Sequence, residues 1–200
     1  RGLIAGGNTP GDGGARKTID FITIASTGDS SEFGELMQER FDFMGGMGNG
    51  VRAIFAGGYS QTTPAATFFN MIDTVNVQSG GAATKFGELS ATRGRTTNTS
   101  NNTRGLNFAG GPAPNTRTNT IEYITLSTEG NAQDFGDLAA AALSVASCAS
   151  STRAVQTGGS LSGGSVNTMQ YVTISTTGNA ADFGDMTAVQ SALAALSDVN

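Results

Sequence analysis

A unit of about 50 residues occurs four times in this chain, and no other feature of the sequence constrains the fold as strongly. Each unit opens with an arginine, a few apolar residues and a pair of glycines, and a later motif reads Phe, Gly, an acidic residue, then Leu or Met. The units start near Arg1, Arg52, Arg104 and Arg153. The phenylalanines of the motif, spaced 53, 49 and 48 residues apart, are Phe33, Phe86, Phe135 and Phe183. Four copies with one order of features indicate an array of repeated structural units.

The pattern within each unit predicts four β-strands. The first runs from the arginine to the glycine pair. The second alternates apolar and polar residues, as in residues 19–24, which is typical of a strand with one buried face. The third is short and contains the Phe-Gly motif, and the fourth, rich in small residues, precedes the next arginine. Strand-like units of this length are typical of the blades of a β-propeller.

The sequence therefore predicts an all-β fold, a β-propeller of four four-stranded blades that forms a single domain over residues 1–200. Residues 193–200 are predicted to supply the strand that completes the blade begun at Arg1, which would close the ring and cover its sheet edges. The alternative is that the chain is four blades of a larger propeller. Because it begins with Arg1 and not with Met, we expect it to be processed or part of something longer.

Three sets of repeated side chains are candidates for structural roles. Each Phe of the motif is expected to lie between adjacent blades, where its burial stabilises the fold by about 2–3 kcal/mol. The opening arginines are predicted to tie strands together through their five N–H donors, with the acids of the motif as candidate partners. Those acids could form a ring that binds a cation, but solvated strand ends are the favoured interpretation. They are Glu35, Glu88, Asp137 and Asp185.

The segments after the glycine pairs differ in length and content, whereas the rest of the unit repeats. These variable loops span residues 8–17, 59–70, 112–119 and 160–167. Recognition residues commonly lie on the loops of a rigid scaffold. The second loop carries Tyr59, Phe68 and Phe69, which we expect to form an exposed apolar contact patch.

The composition argues against catalysis and against several classes of partner. The chain has no histidine, a single cysteine (Cys148), and a net charge of −5 with no run of cations. We therefore expect no catalytic centre, no metal site, no cofactor and no binding of nucleic acid. No apolar stretch is long enough to cross a membrane, so no membrane partner is expected. Cys148 is predicted to be a small buried residue and not a reactive thiol.

Two patterns resemble catalytic signatures but occur without the other residues that the catalytic sites require. Asp134 and Asp182 each precede Phe-Gly, as in the magnesium-binding motif of kinases, yet no phosphate-binding loop or His-Arg-Asp sequence accompanies them. Glycoside hydrolysis needs two carboxylates about 5–9.5 Å apart across a cleft. The carboxylates available for it, spread over repeat and turn positions, include Asp12, Asp20, Asp29, Glu32 and Asp42. A structural role is therefore favoured over that of a polysaccharide depolymerase.

The order of the glycine pair, an aromatic residue on the alternating strand and a later aromatic residue resembles the Kelch family of β-propeller repeats. In that family a Gly pair ends one strand, a Tyr lies on the next strand and a Trp begins the outer one. The aromatic residues at the Tyr position of this chain are Phe21, Tyr123 and Tyr171. Thr74 takes that position in the second unit, and the motif Phe stands where the family has Trp.

The sequence motifs in residues 103–111, 121–126 and 130–138 are similar to those of Kelch-like repeat proteins of tailed bacteriophages. The resemblance extends over the whole chain, and such proteins are virion structural or tail-fibre components. It implies a non-enzymatic structural protein, in a virion or extracellular, that assembles with itself or with other virion proteins into a fibre, filament or tube. The alternative is a module that binds a glycan or a receptor through the variable loops.

Overall fold

The fold is all-β, and four of its sheets are arranged as the blades of a four-bladed β-propeller. The computed structural model of the chain describes residues 1–9, 14–61 and 66–197, and in these residues it contains strands and turns but no helix. The fold class predicted from the repeat is therefore confirmed.

Blades one and two occupy the first half of the chain. Blade one and its loops contain β1 (Gly2–Ala5), β2 (Asn8–Thr9), β3 (Gly14–Ala15), β4 (Thr18–Ile22) and β5 (Ser31–Glu35). After the short strand β6 (Phe43–Met44), blade two contains β7 (Met47–Gly48), β8 (Arg52–Ala56), β9 (Tyr59–Ser60), β10 (Thr67–Phe68), β11 (Met71–Asn76) and β12 (Thr84–Glu88).

Blades three and four occupy the second half and have longer outer strands. Blade three contains β13 (Thr96–Ser100), β14 (Arg104–Phe108), β15 (Thr118–Thr125) and β16 (Gln133–Ala142). Blade four contains β17 (Ala146–Ala149), β18 (Arg153–Thr157), β19 (Ser160–Leu161), β20 (Gly164–Thr173) and β21 (Ala181–Gln190).

Each complete blade is an antiparallel sheet with one order of strands. From the inside outwards it consists of an inner strand of small residues, the strand that follows the arginine, the alternating strand and the strand with the Phe-Gly motif. The four strands are β7–β8–β11–β12, β13–β14–β15–β16 and β17–β18–β20–β21. In blade three the short strand β6 also pairs, in parallel, with the inner strand β13. Blade one is different, because its sheet is β1–β4–β5 and lacks the inner strand.

The predicted closure of blade one by residues 193–200 needs correction. Residues 193–197 do not pair with β1. They run beside the inner strand of blade four, where the Ser197 hydroxyl accepts a hydrogen bond from Ala149 N–H (3.3 Å) and donates one to the Ala149 carbonyl. Residues 198–200 lie outside the described residues. Among the described residues, one edge of β1 is therefore unpaired.

The hydrophobic core is divided among the contacts between consecutive blades, which we call junctions. At junction 1/2, Ile19 and Phe33 of blade one pack against Phe55 and Val75 of blade two. Junction 2/3 joins Ile54, Ile72 and Phe86 to Ile124 and Leu126, and junction 3/4 joins Leu106, Ile121 and Phe135 to Val172 and Ile174. Each blade thus presents one apolar face to the preceding blade and one to the following blade, so a blade is buried only when both neighbours are present.

Candidate functional site

The outer strand of each blade is hydrogen-bonded to the turn of the next blade. At junction 1/2, Gly81 N–H donates to the Phe33 carbonyl (2.9 Å) and Ala83 N–H donates to the Glu35 carbonyl (2.7 Å). The same two bonds recur at the other junctions, from Gly130 to Phe86 and Ala132 to Glu88, and from Gly178 to Phe135 and Ala180 to Asp137. The Phe-Gly motif is therefore a backbone docking strip as well as a source of buried rings.

The glycine of the motif is required by this close approach. A Cβ atom on Gly34, Gly87 or Gly136 would overlap the carbonyl of the glycine in the facing turn. Those facing residues are Gly81, Gly130 and Gly178. The close approach therefore requires glycine on the motif side of each junction only, since a Cβ on any of the facing glycines would meet no atom within 4 Å.

A second row of backbone bonds runs nearer the propeller axis. Arg95 N–H donates to the Asp42 carbonyl (2.7 Å), Ser144 N–H to the Arg95 carbonyl (2.9 Å) and Ala192 N–H to the Ser144 carbonyl (2.9 Å). All four residues have φ between 54° and 58°, in the left-handed region that non-glycine residues rarely adopt. The same strained conformation at one repeat position in every unit shows that the junction bonds hold it there.

Junction 1/2 contains a buried ion pair. An Arg40 Nη2 atom lies 3.0 Å from Asp73 Oδ2, and both side chains have no solvent exposure. Arg40 also donates to the carbonyls of Met71 and Phe55, and Asp73 accepts a bond from Met37 N–H (3.1 Å). Burial lowers the pKa of Arg40, and burial raises the pKa of Asp73 against the opposing effects of Arg40 and Met37 N–H.

Junction 2/3 repeats this pair, and junction 3/4 replaces it with neutral groups. Arg93 lies 3.1 Å from Glu122, with both side chains buried, and burial lowers the pKa of Arg93. Glu122 also accepts a bond from Ser90 N–H (2.8 Å). At junction 3/4 the equivalent acceptor is Gln170, which accepts from Ala139 N–H, and Ala142 takes the place of the arginine.

The sequence interpretation did not find these charged pairs, although a signal for them exists. Each arginine lies seven residues after a motif Phe, and each acid lies one residue after the first apolar residue of the alternating strand. Because only two of the four units carry both charges, the pattern does not appear as a repeat.

The first three opening arginines contact the next blade, and within the described residues none of the four pairs with an acid of the motif. Arg1 donates to the Val77 carbonyl (3.0 Å) and Arg104 to the Ile174 carbonyl (2.9 Å), at the same position of the following blade. Arg52 lies 3.6 Å from a Glu129 carboxylate oxygen. The guanidinium groups also lie over aromatic rings of their own blade, and these pairs are Arg1–Phe21, Arg52–Phe86, Arg104–Tyr123 and Arg153–Tyr171.

The acids of the motif lie at the surface of the described structure. Glu35 pairs with Lys17 (2.7 Å) and Glu88 with Lys85 (2.6 Å). The hydrogen bond from Lys85 lowers the pKa of Glu88, and the hydrogen bond to Glu35 raises the pKa of Lys17. Asp137 and Asp185 have exposed side chains. Within the described residues, no three His, Cys, Asp or Glu side chains are grouped in a way that could hold a metal ion.

The aromatic residues of the second variable loop pack on one another. Tyr59 is buried, with its ring centroid 4.9 Å from that of Phe68 and 4.3 Å from that of Phe41. A Cβ atom on Gly94 of blade two would overlap the rings of Tyr59 and Phe68. Phe69 is half-buried and lines a surface pocket of about 440 Å³ with Lys17, Gln38, Glu39, Ser60 and Thr67. Tyr59 and Phe68 therefore form a packed cluster, whereas Phe69 borders a cleft.

The two ends of the array leave their apolar faces uncovered. Phe33, Phe86 and Phe135 are at most 7 % exposed, but Phe183 is 49 % exposed because no blade covers it within the described residues. On the opposite face, Ile4 and Ile24 of blade one are 57 % and 73 % exposed. We call the Phe183 side the blade-four face and the Ile24 side the blade-one face.

The geometry defines a class of protein: a β-propeller built from nearly equivalent, mutually supporting blades. No protein-family model matches the chain, and no curated protein matches it. Within the part of the chain that the structure describes, no helix has the length and apolar character to span a membrane.

Proposed function

We propose that the protein is a non-enzymatic structural subunit that assembles with copies of itself. The assembly would be a fibre, filament or tube, in a virion or tail or elsewhere outside the cell. The observation that carries this proposal is the exposure of apolar side chains on the two end faces. Phe183 occupies a position that is buried in the other three blades, and Ile24 occupies one that is buried in blades three and four. Exposed apolar surface of this kind marks interaction sites.

The roles of the repeated side chains also support a structural function. The opening arginines, the motif phenylalanines and the buried Arg–acid pairs all join one blade to the next. The likeness of the sequence to Kelch-like repeat proteins of tailed bacteriophages supports a place in a virion or tail.

The test is the size of the purified chain as its concentration rises. We expect light scattering to report oligomers and negative-stain electron microscopy to show regular particles or filaments. Phe183→Asp is expected to abolish them, because it places a charge on the blade-four face. Ser162→Asp, in the exposed hairpin turn after β19, is the matched control and is expected to assemble normally. A wild-type chain that stays monomeric at every concentration would contradict the proposal.

A second candidate function is glycan binding in the 440 Å³ pocket next to Phe69. The pocket combines one aromatic face with hydrogen-bonding groups, which is the composition that sugars require. Ser60 also lines the pocket, and its side-chain oxygen, which is buried, has no hydrogen-bond partner among the described residues. A glycan-array signal that is lost in Phe69→Ala and Ser60→Ala but kept in Ser162→Ala would favour this function.

A further inference from the structure

We propose that blade four of one copy binds blade one of a second copy, head to tail, with the same contacts that join blades within the chain. This inference rests on the proposed function and names the surfaces that assemble. It also assigns a role to residues 193–197, which would complete the three-stranded sheet of blade one in the second copy.

The end faces carry matching halves of the backbone bonding pattern. At each internal junction, two carbonyls of the motif accept hydrogen bonds from the turn of the next blade: that of the Phe and that of the residue two positions later. A third carbonyl, nine residues after the Phe, accepts a hydrogen bond nearer the propeller axis. The blade-four face offers these acceptors on Phe183, Asp185 and Ala192. The blade-one face offers the matching N–H donors on Gly28, Ser30 and Asp42. None of these six groups has an inter-blade bond among the described residues.

Side chains on the two faces match in the same way. Asn131 and Asn179 accept bonds from the N–H groups of Glu88 (3.1 Å) and Asp137 (3.0 Å) across internal junctions. The equivalent residue of blade one is Asp29, which would accept from Asp185 N–H. Asp20 lies at the repeat position of Asp73 and would likewise accept from Thr187 N–H.

The two end faces also carry the two halves of the arginine contact. Arg104 donates to the Ile174 carbonyl of the following blade, and the Ile174 side chain is fully buried. Arg153 occupies the position of Arg104, and Ile24 occupies that of Ile174. Arg153 and Ile24 are both exposed, so each lacks the neighbour that its counterpart has.

One unpaired edge of β1 and one segment outside any sheet identify the occupant as a second copy. In blade two the inner strand β7 pairs with β8, the strand that follows the arginine. Among the described residues, blade one has no strand at that edge of β1, and residues 193–197 lie against β17 without forming a sheet of their own. Both end faces of one chain are exposed, so they do not meet each other in the structure. A second copy supplies each face with the partner that it lacks.

Cysteine cross-linking between two variants tests the contact. In a Cys148→Ser background, Asp29→Cys and Asp185→Cys are made as separate proteins, mixed, and treated with a short thiol cross-linker. We expect a covalent heterodimer. Asp137→Cys has the same repeat position in blade three, where Asn179 already occupies the contact, so its mixture with Asp29→Cys is the matched control and is expected to give no such product.

The outcomes separate this inference from the proposed function. A wild-type chain that assembles while the Asp29→Cys and Asp185→Cys mixture gives no heterodimer would overturn the inference and leave the proposed function standing. A variant that carries both Asp29→Cys and Asp185→Cys in one chain supplies a further check. A cross-link within its monomers would also overturn the inference, because blade four would then meet its own blade one. A wild-type chain that never assembles would contradict both.

A second variant tests the contact without a cross-linker. The glycine of the motif touches a facing carbonyl at every internal junction, but a Cβ on Gly184 would have only Met169 Cε nearby, at 3.9 Å. Gly184→Ala is therefore expected to weaken association by roughly tenfold or more. Its circular dichroism spectrum reports whether it folds, and normal assembly by a folded Gly184→Ala chain would overturn the inference.

Discussion

Arg40 and Asp73 form an ion pair, 3.0 Å from Nη2 to Oδ2, in which both side chains are fully buried between blades one and two. Two charges removed from water cost free energy unless each finds partners for its remaining polar atoms. Here the arginine donates to backbone carbonyls and Asp73 Oδ2 accepts a backbone N–H group, whereas Asp73 Oδ1 is buried without a hydrogen-bond partner among the described residues. The pair therefore fixes how blade two sits on blade one, and Arg93 with Glu122 does the same at the next junction.

Arg40→Met is expected to destabilise the chain by about 3–5 kcal/mol, because it leaves the Asp73 carboxylate buried without a counter-charge. The free energy of unfolding in urea measures the loss. Arg40→Met combined with Asp73→Asn should be more stable than the sum of the two single losses predicts, with a coupling of about 1–3 kcal/mol.

The exposed pair of Lys85 and Glu88 is the control for this experiment. Lys85→Met is expected to leave the free energy of unfolding unchanged within error, since solvent screens the pair. If Arg40→Met were as harmless as Lys85→Met, the buried pair would have no role in holding the junction.

The motif phenylalanines should differ in their importance for folding. Phe86→Ala is expected to cost about 3–5 kcal/mol, because the ring is buried between blades two and three. Phe183→Ala should cost much less in a dilute, monomeric sample, since Phe183 is half-exposed there. Urea unfolding at low protein concentration makes the comparison. Equal losses for the two variants would mean that Phe183 is buried within a single chain.

Much of the fold could be predicted because the repeat is visible in the sequence. The spacing of the phenylalanines, the glycine pairs and the alternating strands identify the blades without any coordinates. The repeat does not show how equivalent positions differ in burial. Phe183 looks identical to Phe135 in sequence, but its burial depends on a following blade, and residues 193–197 have the composition of an inner strand without a sheet to join.

The junction chemistry was harder to predict for two physical reasons. The left-handed residues Asp42, Arg95, Ser144 and Ala192 share no side-chain type, because tertiary backbone bonds and not local preference select their conformation. The aromatic residues of the second loop suggested an exposed patch, but the β9–β10 pairing places Phe68 opposite Tyr59, and Phe41 of the preceding segment covers the Tyr59 ring as well.

Gly136 and Gly184 both have a strained backbone, so a comparison of the two separates the cost of the junction contact from the cost of the strain. Gly136 and Gly184 have φ values of 144° and 130°, so alanine is strained at both. Only at Gly136 would the methyl group also overlap a carbonyl, that of Gly178. Gly136→Ala is therefore expected to be less stable than Gly184→Ala by about 1–3 kcal/mol in urea unfolding. Equal stabilities would show that the blades can separate slightly at no cost.

The single thiol should react more slowly in the folded chain than in the unfolded one. Cys148 lies in β17, beside residues 193–197, and burial raises its pKa above the ordinary value for a thiol. A raised pKa leaves less thiolate at neutral pH, and the thiolate is the form that reacts. The rate of alkylation by iodoacetamide should therefore rise to its plateau at a higher pH in native protein than in urea. Restricted access lowers the plateau but does not move its midpoint, so the pH profile separates the two causes, and coincident midpoints would contradict the raised pKa.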